Sequence, residues 1–420
     1  MAASMGLAAC GSSGGVPKQA TSGSFHVLVY GDATNKVEQE VVAQFNKTSK
    51  VKAVLDTIPG ADYQAKLQTI IGTQQAPDVF FNWGGGSISP FVKAGLLLPL
   101  DDMIKSNPKL KSSFLPSVFS SAEVNGKSYG IPMRGTQPVL LFSNTKVLKS
   151  AGISQPKTWN DLLADVSALK AKGVTPIALG GGDQWPTQMW FEYVYDRIAG
   201  PDLLQKALSG DKSAWASSDS KKALTVLKQL IDAGAFGKNY DSVKFTDNGS
   251  PKLLATGKAA FELMGSWDYS TLQSISPDFV KTDLGYGAFP SIPGGKGDPA
   301  DVVGNTNNFY SVLKTTKYQA AIAKFLTLMY SDQFVKEQLS IGNLPTTTNT
   351  RQFISTAAAS PAYDQFQYGL VQKAPSFALS WDQAYPPSDS QPIRTAVQQF
   401  FDGQIDQNGF IQAMQSLSTS

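Results

Sequence analysis

The chain carries one cysteine, Cys10, and one histidine, His26, among 420 residues. A lone cysteine leaves no disulfide framework and no thiol pair for zinc or redox chemistry. A Ser-His-Asp triad, a Cys-His dyad and an HExxH zinc helix each need a histidine in a set context. His26 sits instead in SFHVLVYGD, a first-strand pattern in which a partly buried histidine is ordinary. No Walker loop or GxGxxG run follows a strand, and Gly180-Gly181-Gly182 lacks the Lys-Ser/Thr pair of a phosphate loop, so it reads as a strand exit. The net charge is only +3, with no dense Lys/Arg run, which argues against nucleic acid as a partner. No apolar run is long enough to span a bilayer.

What is present is an ordinary globular composition, 42% hydrophobic and 16% charged, in a chain too long for one core. Two lobes are therefore expected. Phe25 to Tyr30 reads as a strand, and Asn35 starts a helix with Glu38 in capping-box position and Val37, Val41 and Phe45 as its stripe. Val51 to Ile58 is a second strand, Asp62 to Gly72 a helix, and Val79 to Phe81 a short buried strand. The series is a right-handed βαβαβ unit of an open α/β sheet. Trp83 falls at the carboxyl end of the third strand, beside Gly84 to Gly86, where such sheets bind ligands. Asp32 falls at the same edge. The three glycines free the backbone for a close approach or a tight turn.

The pattern then recurs. Asn125-Gly126 signals a hairpin, Val139 to Ser143 a strand, and Thr158 caps a helix bearing Leu162, Val166 and Leu169. Val174 to Leu179 is a strand that runs into glycines, Gln184 and Trp185. Lys258 to Met264 is another, ending at Gly265-Ser266-Trp267-Asp268, where Asp268 either meets a ligand or complements the helix dipole. Gly285 to Pro290 and Asn308 to Leu313 read as strands around a Gly/Pro-rich loop. Asn305, Asn307 and Asn308 there supply either amides for a hydroxylated ligand or turn chemistry. Ser380-Trp381-Asp382-Gln383 lies in a loop stiffened by two prolines, and Pro392 suits a helix start. Trp159 and Trp215 read as core or helix-end residues.

At the amino terminus Leu7-Ala8-Ala9-Cys10-Gly11 resembles a bacterial lipobox, followed by a Ser/Gly tether. The nine residues before Cys10 hold no basic residue and are too short for a full apolar region, so only the tail of a leader is expected here. In the natural precursor a lipid on Cys10 would hold the protein at the outer face of the cell membrane.

GKSYGIP, FSNTKVLKSAGI, PKTWNDL, KGVTPIAL, TGKAAFELMGSW and the late Trp-Asp, taken as an ordered set from Phe25 onward, resemble the extracellular solute-binding proteins of sugar ABC transporters, the family that includes maltose-binding proteins. The Ser-Trp-Asp-Gln loop is similar to that of actinobacterial oligosaccharide binders, with xylobiose or xylo-oligosaccharide the nearest ligand. The resemblance implies a monomeric binder with no cofactor, two hinged α/β lobes with the ligand cleft between them, and a membrane permease as partner. It implies a leader remnant and tether over 1–24, lobe one over 25–133 and 283–330, and lobe two over 134–282 and 331–420. Trp83, Trp185, Trp267 and Trp381 fall at its stacking positions, and Asp32, Gln137, Gln184 and Asn307 near its hydroxyl-binding ones. Arg134, after the hinge-like Ile131-Pro132, replaces the acid or amide of maltose binders and points away from maltose.

The chemistry of the residues agrees with a sugar. A pyranose offers an apolar C–H face and a belt of hydroxyls, which call for flat aromatic surfaces with planar carboxylate, amide or guanidinium groups beside them. Two other classes stay open. A glycosidase also combines tryptophans with carboxylates, though it needs an acid pair about the scissile bond and Glu is scarce near these tryptophans. A non-sugar cargo is the other, with a metal disfavoured by the single His and Cys.

Overall fold

The computed structural model describes residues 19–32 and 34–418. Cys10 and the lipobox motif lie outside the described residues. The strands among them are β1 (Ser24–Gly31), β2 (Lys52–Pro59), β3 (Val79–Asn82), β4 (Glu123–Val124), β5 (Lys127–Ser128), β6 (Ile131–Pro132), β7 (Gln137–Asn144), β8 (Thr175–Ala178), β9 (Ala259–Gly265), β10 (Leu284–Gly287), β11 (Val302–Asn305), β12 (Phe309–Val312) and β13 (Phe377–Leu379). One sheet runs in the order β2-β1-β3-β12-β6, a second in the order β13-β11-β7-β9-β8 with β10 on β7, and β4-β5 is a separate hairpin.

The first sheet begins as the hydrophobic pattern requires. β1 pairs in parallel with both β2 and β3, which is the expected βαβαβ unit. The helix Asn35–Thr48 buries Val37, Val41 and Phe45, and Phe45 meets Phe25 and Phe325 edge-on. Around them a core gathers Tyr63, Phe80, Phe81, Tyr310 and Phe325. A second, larger core fills lobe-like packing around β7 to β9, with Phe142, Trp159, Trp190, Trp215, Phe261 and Phe410 among its members. Burying each such ring contributes about 1.5–3 kcal/mol, so each sheet has a core of its own to stand on.

Three local expectations are corrected. The capping box at Asn35 and Glu38 does not form: Thr34 is the cap residue, and Glu38 is turned inward, 2% exposed, to meet Arg134 at 2.6 Å. A guanidinium partner outweighs a capping amide for a buried carboxylate. The box does form at Thr158 and Asp161. Pro392 lies inside the helix Pro387–Phe401, which Pro387 starts. The chain also does not return to the first sheet at 283. β10 and β11 both pair with β7, and the return comes only with β12, which pairs with β3 and β6. The Asn125-Gly126 turn is present, with φ of 51° and 72°.

The two sheets are joined by the links β6 to β7 and β11 to β12. Met133 N–H donates to the Asn308 carbonyl at 2.9 Å, so the links run side by side. A third segment joins them where Thr136 N–H donates to the Leu344 carbonyl at 2.9 Å.

Candidate functional site

Parallel pairing puts the carboxyl ends of β1 and β3 next to each other, and with them Tyr30, Asp32 and Trp83. Trp83 is half-buried and meets Phe81, Tyr30 and Tyr63 edge-on at 4.8, 5.7 and 5.9 Å. Three rings against its edge fix an indole that still has exposed surface. Asp32 keeps 33% of its side chain exposed, while Oδ1 accepts from Thr34 N–H and Oγ1 at 2.8 and 2.6 Å and Oδ2 from Arg134 at 2.6 Å. The carboxylate is therefore oriented before any ligand arrives.

The second sheet offers a matching edge. After β8 the chain turns through Gly181–Asp183, and Gln184 adopts φ 64°, a left-handed conformation rare outside glycine. Such strain persists only where surroundings hold it, as at ligand clamps. Gln184 Oε1 accepts from Gln391 at 2.9 Å, and Asp183 accepts from Thr246 N–H at 2.8 Å. Trp185 then opens the helix Trp185–Ala199, half-buried, 5.3 Å from Phe245 and 6.1 Å from the equally half-buried Trp267 beyond β9. Burial first, then Asp32, push the Tyr30 hydroxyl up to about 12 against the pull of Arg134, with smaller contributions from Asp183 and Asp382.

The remaining expected residues have other surroundings. Trp381 is a core residue, 2% exposed, wedged edge-on between Trp215 at 5.1 Å and Tyr195 at 5.2 Å. Its sequence setting, an indole between polar residues and prolines, resembles that of the half-exposed tryptophans. What differed was the apolar wall that the distant Trp215 and Tyr195 build. Asp268 is fully buried beside Glu262, with burial raising both carboxyls, and Asp268 has no hydrogen-bond partner among the described residues. It does not reach a ligand surface. Asn307 is buried too: Oδ1 accepts from Gly135 N–H at 3.2 Å and Nδ2 donates to Thr346 Oγ1 at 2.5 Å, so it ties the linking segments together. Asn308 is buried, and Gln137 is nearly so, accepting from Asn305 at 3.1 Å. Asp382 is mostly buried, 3.4 Å from Gln188.

Arg134 is likewise an internal anchor. Its Nε and Nη2 donate to Glu38 at 2.6 and 3.2 Å, Nη2 also to the Tyr30 carbonyl at 2.8 Å, and its guanidinium lies 4.8 Å from the Phe81 ring centre. Burial alone would lower its pKa, but Asp32 and Glu38 raise it, so it stays charged. Gly84 to Gly86 make their close approach to protein. A β-carbon on Gly86 would stand 2.1 Å from the Tyr385 carbonyl oxygen, so this turn seats the 384–385 backbone against the end of β3.

Sequence reasoning missed Tyr30 and Asp183. The strand-end rule that found Trp83 would have found Tyr30, one residue before Gly31, and Asp183 stands beside Gln184. Glu192 was missed because only the fold brings it to Trp381. It accepts from the Trp381 N–H at 2.7 Å and from Gln188 at 2.6 Å, and burial, then Asp382, push it up to about 8. Its oxygens are spent on the protein, which leaves it no reach to a substrate. Among the described residues no group of three or more His, Cys, Asp or Glu is placed to hold a metal ion, and no helix is long and apolar enough to cross a membrane.

Two α/β sheets, linked by paired segments and each carrying half-exposed indoles at strand ends, define a two-lobed solute-binding fold. The family of bacterial extracellular solute-binding proteins matches residues 31–336, and the chain belongs to it. A solved structure from work on xylan utilisation by the thermophile Caldanaerobius polysaccharolyticus is 29% identical, with a TM-score of 0.84 over 93% of this chain and 99% of that one. A chitin oligosaccharide binding protein is 27% identical, with a TM-score of 0.83 over 94% and 98%. The diacetylchitobiose binding protein DasA of Streptomyces coelicolor is 26% identical over 310 residues, 72% of this chain and 68% of that protein. An uncharacterised ABC-transporter extracellular-binding protein of Pyrococcus horikoshii is 29% identical over 238 residues, and there the match spans about half of the relative, 52%. The family, the chitin oligosaccharide binder, DasA and the Pyrococcus relative are binding proteins, not enzymes.

Proposed function

We propose that this protein captures a short β-linked oligosaccharide, with xylobiose or a xylo-oligosaccharide as first choice, between two hinged lobes and delivers it to the permease of an ABC importer. The observation that carries the reading is the set of half-exposed indoles Trp83, Trp185 and Trp267 at strand ends of two different sheets, with Asp32 and Gln184 beside them. Indole faces take the C–H face of a sugar, and an oriented carboxylate and amide take its hydroxyls. Gln137 and Asp382, mostly buried, are candidates that closure would bring into use. The named ligands of two relatives and the xylan setting of a third concern β-linked chains, and on that likeness rests the choice among sugars.

Lobe one comprises residues 25–133 and 309–334, and lobe two residues 137–305 and 363–418. Closing about the links buries the ligand without chemistry, and the permease reads the closed form. The protein works outside the cytoplasm as a monomer, tethered through lipid on Cys10 in the natural form.

Tryptophan fluorescence and thermal unfolding with a panel of pentose and hexose oligosaccharides test the reading. A β-linked oligosaccharide quenches or shifts the emission and raises the melting temperature. A panel that moves neither would remove sugar as the cargo.

A further inference from the structure

Trp267 folds back over Gly265, the last residue of β9. A β-carbon built on Gly265 would stand 2.0, 2.2 and 2.3 Å from Cζ3, Cη2 and Cε3 of the indole. Real side chains do not approach so closely, so the ring occupies the space any other residue would need. The φ of Gly265 lies outside the left-handed region. Space, and not backbone freedom, is therefore what glycine provides.

This contact sets the plane of Trp267, and its neighbour is fixed from the other side. Trp185 meets Phe245 edge-on at 5.3 Å and an interplanar angle of 75°, and lies 6.1 Å from Trp267 at 50°. The two indoles thus form a corner of two tilted faces, spaced about as consecutive rings of a sugar chain are. Chains of the cellulose and chitin type hold successive rings in one plane as a flat ribbon, stiffened by hydrogen bonds that include the hydroxymethyl group. A β-linked pentose chain lacks that group and relaxes to a twisted form, in which each ring plane turns relative to the last.

We propose that Gly265 is a positioning residue that sets the tilt between the Trp267 and Trp185 faces, and that this tilt selects a twisted β-linked pentose chain over a flat hexose ribbon. The inference rests on the reading of both indoles as ligand surfaces. Gly265 touches no ligand itself. It acts through Trp267, and an alanine there would lift the ring and change the angle its partner sugar meets.

Calorimetric titrations with xylotriose, cellotriose and tri-N-acetylchitotriose test this on the wild type, Gly265→Ala, Trp267→Phe and the double variant. The wild type binds xylotriose about tenfold or more tightly than either hexose trimer, and Gly265→Ala loses about tenfold for xylotriose while its preference shrinks. Trp267→Phe, whose smaller ring does not cover Gly265, binds weakly with little preference, and adding Gly265→Ala to it changes little, because the two positions act as one unit. A purely structural Gly265 would instead weaken all three sugars equally and in both backgrounds, which overturns the proposal. So would a wild-type preference for a hexose trimer. Should Gly265→Ala fail to fold, an undiminished xylotriose preference in Trp267→Phe overturns it as well. Trp185→Ala and Trp267→Ala separate the levels: if neither changes any affinity, the ligand-surface reading beneath the proposal is what has failed.

Discussion

Replacing Arg134 by methionine tests whether that residue holds the linking segment to the first lobe. Two carboxylates meet its guanidinium, but they are unequal. Asp32 is one-third exposed, so water screens its pairing at 2.6 Å, and the contribution is at most about 1 kcal/mol. Glu38 is as buried as Arg134 itself, each 2% exposed, and cannot turn to water when its partner goes. Removing one member of such a pair costs about 3–5 kcal/mol, because a buried charge is left uncompensated. In thermal unfolding of a chain of this length that is a fall of roughly 5 °C. The loss depends on pH with a definite sign. Burial already pushes Glu38 up, partly offset by Arg134. Without the guanidinium the folded pKa rises further, so stability is retained below the ordinary carboxyl range and lost as pH rises through the folded value. Calorimetric scans at about pH 5 and pH 8 should therefore find the larger deficit at the higher pH. Adding Glu38→Leu should restore most of the loss, since an apolar replacement of a whole buried pair is often neutral. A deficit under about 1 kcal/mol, or one that the second change leaves in place, would refute the reasoning.

Other consequences follow from the same geometry. Trp381→Ala should cost about 3–5 kcal/mol of stability, far more than Trp185→Ala, and comparable melting temperatures for the two would return Trp381 to the cleft. Glu192 and Asp364, each raised by burial to about 8, and Asp196, raised by burial to about 7 against the pull of Arg197, favour the protonated fold. Their contribution is present at and below the ordinary carboxyl range and is lost as pH climbs from there to about 7 to 8, at up to about 1.4 kcal/mol per pH unit for each group. The melting temperature should fall over that window, and Glu192→Gln should flatten the fall; an equally steep curve in the variant would contradict the assignment. Asn307→Ala, which frees Gly135 N–H and Thr346, should cost about 1–3 kcal/mol in urea unfolding, and no measurable change would mean the linking segments hold without it.

Local pattern carried the first lobe well. β1, β2 and β3 with their helices are close in sequence, and apolar alternation together with short parallel connections leaves few other arrangements. Thr158 and Asn125-Gly126 announced their cap and turn for the same reason, since cap and hairpin chemistry is local. Long-range pairings were less legible. β10 and β12 read correctly as strands and β11 did not read as one, and which sheet takes β10 and β11 is decided by β7, more than a hundred residues earlier. The site divides along the same line. Trp83, Trp185 and Trp267 follow strands and keep exposed surface there, which is the setting strand-end reasoning expects of them. Trp381 has the same local texture, yet Trp215 and Tyr195 enclose it, and Asn307 and Arg134 have polar groups that distant backbone and carboxylates consume. Sequence texture marks a residue as able to bind sugar; only its neighbours in space decide whether it is free to.

Isothermal titration with xylotriose, comparing the wild type with Trp83→Ala from one sheet edge and Trp267→Ala from the other, tests the cleft most directly. Saturable one-to-one binding that weakens about tenfold or more in both variants, with their melting temperatures little changed, is the expected result. A flat trace for the wild type, or an affinity indifferent to both walls, would contradict an oligosaccharide held between the two lobes.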